Sequence, residues 1–170
     1  MIRRAVERDL IKILEIYNEA VLNTTAVYSY NAQSLEERTL WFQSKNKNQL
    51  PVLVFEENDE VVGFGTYGPF RAWPAYKYTI EHSVYVDKGS RNLGIGSALV
   101  KAIINLADEQ KIATIVAGID ALNDKSIRMH VKLGFEYSGT IKRAGHKFGK
   151  WLDLALYQMN LRGPQDPSDD

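Results

Sequence analysis

The residues with the clearest chemical potential lie in a glycine turn near the middle of the chain. An apolar run ends in Val84, Tyr85 and Val86, and a turn follows whose residues are Arg91, Asn92, Leu93, Gly94, Ile95, Gly96 and Ser97. An apolar pattern at helical spacing begins there, and the first amides of a helix lack intrahelical partners and favour an anion. The two glycines let a phosphate approach the backbone, and Arg91 adds positive charge. The sequence therefore predicts a diphosphate site at this turn.

Three known phosphate-binding patterns can be compared with this turn. A Rossmann fingerprint requires a small residue at the position where Leu99 stands. A Walker A loop requires a Gly-Lys-Ser/Thr sequence, and Gly94-Ile95-Gly96 contains no lysine. The pattern Arg-x-x-Gly-x-Gly after an apolar strand does match, and it resembles the acyl-CoA pyrophosphate loop of the GNAT acetyltransferase superfamily. The alternative is a helix entry with two incidental glycines.

Further segments extend this resemblance across nearly the whole chain. In the superfamily an Asn after the next strand reaches the coenzyme arm, and here Asn123 and Ser126 follow that strand, although Asn123 can also be a plain helix N-cap. Residues 16–26, 79–86 and 145–153 resemble the phosphinothricin and methionine sulfoximine N-acetyltransferases. The resemblance implies transfer of an acetyl group from acetyl-CoA, as a cosubstrate, to the free amine of a small amino acid or analogue, without a metal.

Acetyl transfer from a thioester to an amine needs a base, an oxyanion donor and an acid for the leaving thiolate. Glu81 is the candidate base, because partial burial in its apolar strand would raise the pKa of its carboxyl group. Its alternative role is to fix a neighbouring side chain or loop amide. A backbone N–H near Tyr85 is the candidate oxyanion donor. His130 stands where many GNAT enzymes have a Tyr; it is the candidate acid or a locally hydrogen-bonded helix residue, with Tyr85 and Tyr137 as alternative phenols.

The predicted substrate-binding residues are Arg71, Ala72, Trp73, Thr79, Glu81 and Tyr28. Arg71 is suited to bidentate binding of a carboxylate or phosphinate, and Trp73 would close the pocket. Trp73 and Tyr28 can equally be packing residues. Strand alternation points His82 away from the Glu81 face, so a structural role is predicted for it.

Composition and charge restrict the classes of function. The 170 residues are 45% hydrophobic and 25% charged, with 21 basic and 21 acidic side chains and no cysteine. The formal net charge of zero argues against nucleic acid or an anionic membrane as a partner. Without cysteine, the chain can have neither a thiol nucleophile nor a disulfide. Because neither a membrane-spanning run nor a signal-peptide core is found, a cytoplasmic protein is expected. The resemblance also implies a homodimer in which His146 and Lys147 can reach a partner's site.

The order of predicted elements is β-α-α-β-β-β-α-β-α-β-β. Its single strand–helix–strand crossover predicts one parallel strand pair within an otherwise antiparallel sheet. We therefore expect an α/β fold with a mixed sheet and, from the resemblance, a GNAT-like central parallel pair that splays. One domain over residues 1–162 and a flexible tail over 163–170 are expected. The crossover should end in a strand over Ile112–Ile119, and the last two strands should be joined by a loop over Ala144–Gly149.

Three alternatives to the proposed enzyme remain open at this point. A protein acetyltransferase would need an open groove, whereas the aromatic residues between Phe70 and Tyr76 favour a capped pocket. A polyamine acetyltransferase would need more carboxylates in this stretch. A non-catalytic acyl-CoA-binding module would keep the glycine turn but would have no need of Glu81 and Arg71.

Overall fold

The computed structural model describes residues 1–169, and its helices and strands follow the predicted order. The strands are β1 (Ile2–Arg4), β2 (Val52–Glu57), β3 (Glu60–Pro69), β4 (Thr79–Val86), β5 (Thr114–Asp120), β6 (Glu136–Lys147) and β7 (Lys150–Asn160). The helices are α1 (Leu10–Asn23), α2 (Leu35–Lys47), α3 (Ile95–Glu109) and α4 (Asp124–Lys132). Short 3-10 segments precede α1, β4 and α3.

Seven strands form one mixed sheet in the order β1-β2-β3-β4-β5-β7-β6. β4 and β5 are parallel, whereas β1 with β2, β2 with β3, β5 with β7 and β6 with β7 are antiparallel. The parallel register runs only from Thr79–Thr114 to Glu81–Val116, although β4 continues to Val86 and β5 to Asp120. The predicted α/β fold with a central parallel pair is confirmed.

Contacts between Cα atoms divide the chain into two compact units, of which the first comprises Met1–Thr66 and Ser83–Val100. Its core is formed by Leu10, Ile13, Ile16, Phe42, Val52, Val54, Val61 and Phe64. Helix α2 begins with a capping box formed by Ser34 and Glu37. The Ser34 hydroxyl accepts the Glu37 N–H at 3.2 Å, and the Glu37 carboxylate accepts the Ser34 N–H at 2.7 Å. Two amides that the helix itself cannot pair are thereby satisfied.

The second unit comprises Tyr67–His82 and the chain from Lys101 onward. Here β5 pairs with β7 from Thr114–Asn160 to Asp120–Leu154, so this edge of β5 is bonded along its whole length. Helix α4 ends two residues before Gly134. Gly134 has φ of +99°, and the Phe135 N–H donates to the His130 carbonyl at 3.0 Å, as in a Schellman C-cap.

The β6–β7 hairpin corrects a predicted boundary. The loop predicted over Ala144–Gly149 is wrong, because β6 continues to Lys147. Only Phe148 and Gly149 form the turn, with φ of +52° and +72°. Two positive φ values at the centre of a two-residue turn match the twist of the flanking strands, so a tight hairpin replaces the loop. The strand predicted from Ile112 begins two residues later, at Thr114.

Residues after β7 contact the rest of the second unit. The Leu161 N–H donates to the Ala113 carbonyl at 2.8 Å, and Arg162 forms an ion pair with Asp108. One domain over residues 1–162 with a flexible tail over 163–170 stays a prediction, and Asp170 lies outside the described residues. Within residues 1–169, no helix combines the length and the apolar character needed to cross a membrane.

Candidate functional site

The glycine turn forms the entry to α3 in the first unit. φ is +67° at Asn92 and +82° at Gly94, a left-handed conformation that glycine adopts freely and Asn tolerates. The bond that opens the helix runs from the Ala98 N–H to the Gly94 carbonyl at 3.0 Å, so the amides of residues 95–97 precede it. A Cβ built on Gly94 would meet no atom within 4 Å. The turn therefore combines helix N-terminal amides with open space, which is what an anion requires.

The first residue of α3 packs closely against Gly63 of β3. A Cβ at Gly63 of β3 would lie 3.1 Å from both the Tyr85 carbonyl oxygen and the Ile95 side chain. A side chain at position 63 would be crowded by these atoms, which would have to shift by a few tenths of an ångström. The ring of Tyr85 packs on Phe64 and Tyr17, with centroid distances of 5.1 Å and 5.6 Å. Its phenol thus belongs to the aromatic packing of the first unit.

Arg91 is held beside the turn by two acceptors. Its guanidinium forms an ion pair with Glu19 of α1, and its Nε donates to the Val86 carbonyl at 3.3 Å. The predicted positive charge is present, but Glu19 partly neutralises it. An anion bound at the turn would compete with Glu19 for this arginine.

Glu81 is a half-buried carboxylate in the second unit. Burial raises the pKa of its carboxyl group, and the positive charge of Arg71 partly opposes that rise. A carboxylate with a raised pKa accepts a proton more readily than an exposed one. Within the second unit, the charge of Arg71 therefore acts on Glu81, while the roles of base and anion-binding residue stay predictions.

Arg71 lies in an exposed loop that is tied to β4. Its Nη1 donates to the Phe70 carbonyl at 2.8 Å, and its guanidinium lies 4.1 Å from the centre of the Phe70 ring. The Phe70 N–H donates to the Thr79 carbonyl at 3.2 Å, so the loop is bonded to the start of the strand that carries Glu81. Trp73 is 75% exposed and Ala72 is also exposed, while Tyr28 belongs to the first unit.

His82 and His130 form a buried pair in the second unit. Their rings are stacked with centroids 5.1 Å apart, and the two Nε2 atoms are 3.2 Å apart. Phe135 packs edge-on against both rings. Burial lowers the pKa of both imidazoles, to about 3 for His82. Two neutral rings that bond to each other can therefore link β4 to α4.

The hydrogen bonds of this pair define its tautomers. His130 Nδ1 lies 2.8 Å from the Ser126 carbonyl oxygen, which can only accept, so Nδ1 carries the proton. In a neutral ring Nε2 of His130 is then an acceptor, and Nε2 of His82 must donate to it. The remaining Nδ1 of His82 is buried and has no hydrogen-bond partner within the part of the chain that the structure describes.

Asn123 caps helix α4, as one of its two predicted roles requires. Its Oδ1 accepts the Ser126 N–H at 3.1 Å. Because this bond uses the oxygen, the side-chain amide N–H groups are the atoms with which Asn123 could bind a coenzyme arm. The predicted coenzyme contacts of Asn123 and Ser126 stay predictions.

Sequence reasoning missed two buried features. The pairing of His82 with His130 joins residues 48 positions apart, and no local pattern reveals such a contact. Arg38 of α2 is only 2% exposed, with its guanidinium 3.9 Å from the Tyr17 ring and 4.5 Å from the Trp41 ring. The contact between Arg38 and Trp41 could have been predicted from the sequence, because the two residues are three positions apart on a helix.

Comparison with known proteins gives one family. A model of the GNAT acetyltransferase domain matches residues 2–156. An L-methionine sulfoximine/L-methionine sulfone acetyltransferase of Pseudomonas aeruginosa is 42% identical over 161 residues, covering 94% of each chain. A phosphinothricin N-acetyltransferase of Streptomyces coelicolor is 34% identical over 163 residues, covering 94% of this chain and 95% of the relative.

Solved structures agree with this fold. An N-acetyltransferase from Staphylococcus aureus is 52% identical with a TM-score of 0.95, covering 95% of this chain and 98% of its own. A ribosomal-protein-alanine N-acetyltransferase from Brucella melitensis is 44% identical with a TM-score of 0.93, and the match covers 95% of this chain and 99% of that one. A phosphinothricin acetyltransferase from Sinorhizobium meliloti in complex with acetyl-CoA is 36% identical with a TM-score of 0.91. The match covers 95% of this chain and 88% of that one. Since the domain model covers most of the chain and the curated relatives match nearly end to end, the chain belongs to the GNAT acetyltransferase family.

Proposed function

We propose that this enzyme transfers the acetyl group of acetyl-CoA to the free amine of a small amino acid or analogue of the methionine sulfoximine, methionine sulfone or phosphinothricin type. The observation that carries the proposal is the half-buried Glu81, whose carboxyl pKa is raised by burial and which senses the charge of Arg71. A base beside a cation suits an amine substrate that also bears an anionic group. The activities of the curated relatives support the same substrate class.

Glu81 acts in this reaction as the base for the substrate ammonium. It takes one proton, directly or through water, and the neutral amine nitrogen forms a bond to the acetyl carbonyl carbon. A backbone N–H near Tyr85 donates to the carbonyl oxygen as negative charge develops there. The carbon–sulfur bond then breaks, the attacking nitrogen gives up its second proton, and the departing thiolate takes up a proton. The products are an N-acetylated amino acid and the free thiol of coenzyme A.

His130 is the proposed acid that protonates the thiolate, with the phenols of Tyr85 and Tyr137 as alternatives. Both ring nitrogens of His130 are engaged, by Ser126 and by His82, and burial lowers the pKa of His130. A role for His130 as the acid therefore requires its Nε2 to exchange His82 for another partner. The local hydrogen-bonding role that the sequence left open needs no such exchange, and it is the second possibility for His130.

The diphosphate of the coenzyme fits the entry to α3. The amides of residues 95–97 supply donors, Gly94 leaves space, and Arg91 supplies charge once an anion replaces Glu19. Val84, Tyr85 and Val86 are proposed to bind the thiol-bearing arm through their backbone. Asn123 contributes a side-chain donor.

Gly94→Ala tests the diphosphate assignment. We expect acetyl-CoA to bind about 5- to 20-fold more weakly, because a Cβ disfavours the left-handed backbone by roughly 1–2 kcal/mol and distorts the amides. Isothermal titration with coenzyme A measures the change. Gly149→Ala is the matched control: Gly149 has φ of +72° and, like Gly94, meets nothing within 4 Å of a built Cβ. Equal weakening in both variants would reject the assignment.

Arg71→Ala tests anion recognition by the loop. We expect the KM for the amino acid to rise about 10- to 100-fold with little change in kcat, because a charged hydrogen bond contributes about 1.5–3 kcal/mol. Steady-state kinetics with methionine sulfone measures both constants. Lys77→Ala removes a neighbouring exposed cation and should change neither. A KM that stays unchanged in Arg71→Ala would remove this residue from anion binding.

A substrate panel tests the reaction as a whole. Thiol release is followed with methionine sulfoximine, methionine sulfone, phosphinothricin, ordinary amino acids, a polyamine and a peptide with an N-terminal alanine. We expect turnover with the small amino acids. Turnover with the peptide alone would favour the second candidate, protein N-terminal acetylation, which the Brucella structure suggests. Calorimetric binding of the coenzyme without turnover on any amine would favour a non-catalytic acyl-CoA-binding module.

We also propose that the enzyme is a cytoplasmic homodimer, on the basis of its family resemblance. His146 and Lys147 near the end of β6 are the residues proposed to reach the partner's site. Sedimentation equilibrium tests the dimer, and a monomer at micromolar concentration would contradict it.

A further inference from the structure

Strand β5 has a glycine, Gly118, next to the candidate base Glu81. Gly118 is exposed, although its neighbours Ala117 and Ile119 in the same strand are buried. Because Glu81 is opposite Val116 in the parallel register, strand alternation places Glu81, Val116 and Gly118 on the same face of the sheet. A long side chain at position 81 can therefore extend along this face toward position 118.

The carboxylate of Glu81 occupies the space that a side chain at position 118 would need. A Cβ built on Gly118 would lie 2.9 Å from Glu81 Oε1 and 3.4 Å from Leu154 Cδ1. The first distance is too short for a real contact, whereas the second is ordinary van der Waals contact. Since the backbone of β5 is bonded to β7 along its length, the flexible Glu81 side chain is the group that would have to move.

We propose that Gly118 is a positioning residue for Glu81, because the absence of a side chain at this position lets the carboxylate lie against β5. The inference rests on the proposed function, in which Glu81 is the base. It assigns a reason for a glycine inside a central strand, where glycine packs poorly and marks a close approach of another group.

A displaced carboxylate would differ in two ways that matter for catalysis. It would leave the position from which it reaches the substrate ammonium, and a misplacement of about 1 Å can reduce a rate about 100-fold. It would also move toward water, and its pKa would fall, because burial is the main cause of the present rise. A side chain at position 118 should therefore change the rate and its pH dependence together.

Gly118→Ala tests this role, with methionine sulfone as the substrate. We expect kcat to fall about 5- to 50-fold, within the loss that such a misplacement causes. The acid limb of the kcat/KM profile should shift to lower pH, while the affinity for coenzyme A is kept. Ala117→Gly is the control: it changes a neighbouring residue of β5 without adding an atom beside Glu81, and the limb should stay in place.

The double variant shows whether Gly118 acts through Glu81. In a Glu81→Gln background, adding Gly118→Ala should have almost no further effect on kcat. A loss of the same size in both backgrounds would overturn the proposal and indicate that the added methyl group crowds the substrate. If Glu81→Gln alone keeps full activity, the base assignment fails, and this result is distinct from a failure of the positioning role.

A measurement on the unmodified enzyme covers the case in which Gly118→Ala does not fold. Carbon-13 NMR of glutamate-labelled protein follows the Glu81 carboxyl, assigned by its absence in Glu81→Gln. We expect it to titrate above the usual range of glutamate, as a carboxylate packed against β5 should. Titration like that of an exposed glutamate would overturn the proposal.

Discussion

Glu81→Gln should lower kcat by about 100- to 10,000-fold, the range over which a positioned general base accelerates a reaction. Glutamine keeps the length and shape of the side chain but cannot accept the proton of the substrate ammonium. The space beside Gly118 remains filled, so the fold and the affinity for acetyl-CoA should be retained. Stopped assays of thiol release with methionine sulfone measure the loss.

The pH dependence separates a base from a residue that only binds. Only the carboxylate form of Glu81 accepts a proton, so kcat/KM should rise with pH through the pKa of Glu81. Burial raises that pKa, which places the rise at a higher pH than for an exposed glutamate. In Glu81→Gln this limb should disappear, leaving the titration of the substrate amine.

Glu136→Gln is the matched control, because Glu136 is an exposed glutamate in β6. Glu136→Gln makes the same chemical change but leaves Glu81 intact. Its kcat and the pH dependence of its kcat/KM should therefore match those of the unmodified enzyme. If Glu81→Gln retains both its rate and its acid limb, the base must be another group, and Glu81 would keep only a role in fixing Arg71.

The order of elements followed from local patterns in the sequence. Helical spacing, the Ser34–Glu37 capping box and Gly134 are signals that act over a few residues, and a helix begins at the second and ends beside the third. The glycine turn was also recognisable, because a backbone that binds an anion needs particular residues at particular spacings. The strand extension to Lys147 was missed, since a tight turn at Phe148 and Gly149 carries no Asn-Gly signal.

The arrangement of the candidate site was less predictable, because it depends on contacts between distant residues. Glu81 was selected from its apolar strand, but Gly118 became meaningful only when the parallel register brought the two together. In the same way, His82 was correctly expected to be turned away from Glu81, yet its partner His130 was assigned a separate role. Pairing across β4, β5 and α4 is a property of the fold, and local sequence patterns do not contain it.

The His82–His130 pair should make the protein lose stability in mild acid. The unfolded state takes up a proton on each histidine near pH 6.5, whereas in the folded state burial lowers the pKa of His82 to about 3. The stability that this histidine contributes is therefore complete above pH 6.5 and is lost progressively as the pH falls toward 3. By linkage, His82 alone should reduce the free energy of unfolding by about 2 kcal/mol between pH 7 and pH 5.

The carboxylates do not explain a loss between pH 7 and pH 5. Hydrogen-bonded carboxylates such as Asp153 have lowered pKa values, so their contribution is lost only below about pH 4. Glu81 has the opposite sign, because its raised pKa favours the folded state as the pH falls. His130 adds to the loss, since burial lowers its pKa as well.

Urea unfolding at pH 7, 6 and 5 measures the effect, with His82→Gln as the test variant. A glutamine amide can still donate to Nε2 of His130 but takes up no proton, so we expect a smaller loss of stability from pH 7 to pH 5. His146→Gln removes the exposed histidine of β6 and should keep the loss of the unmodified protein. If His82→Gln loses stability as steeply as the unmodified protein, the pair cannot be buried in its neutral form. His82 would then be charged when folded, and its bond to His130 would need a different arrangement of protons.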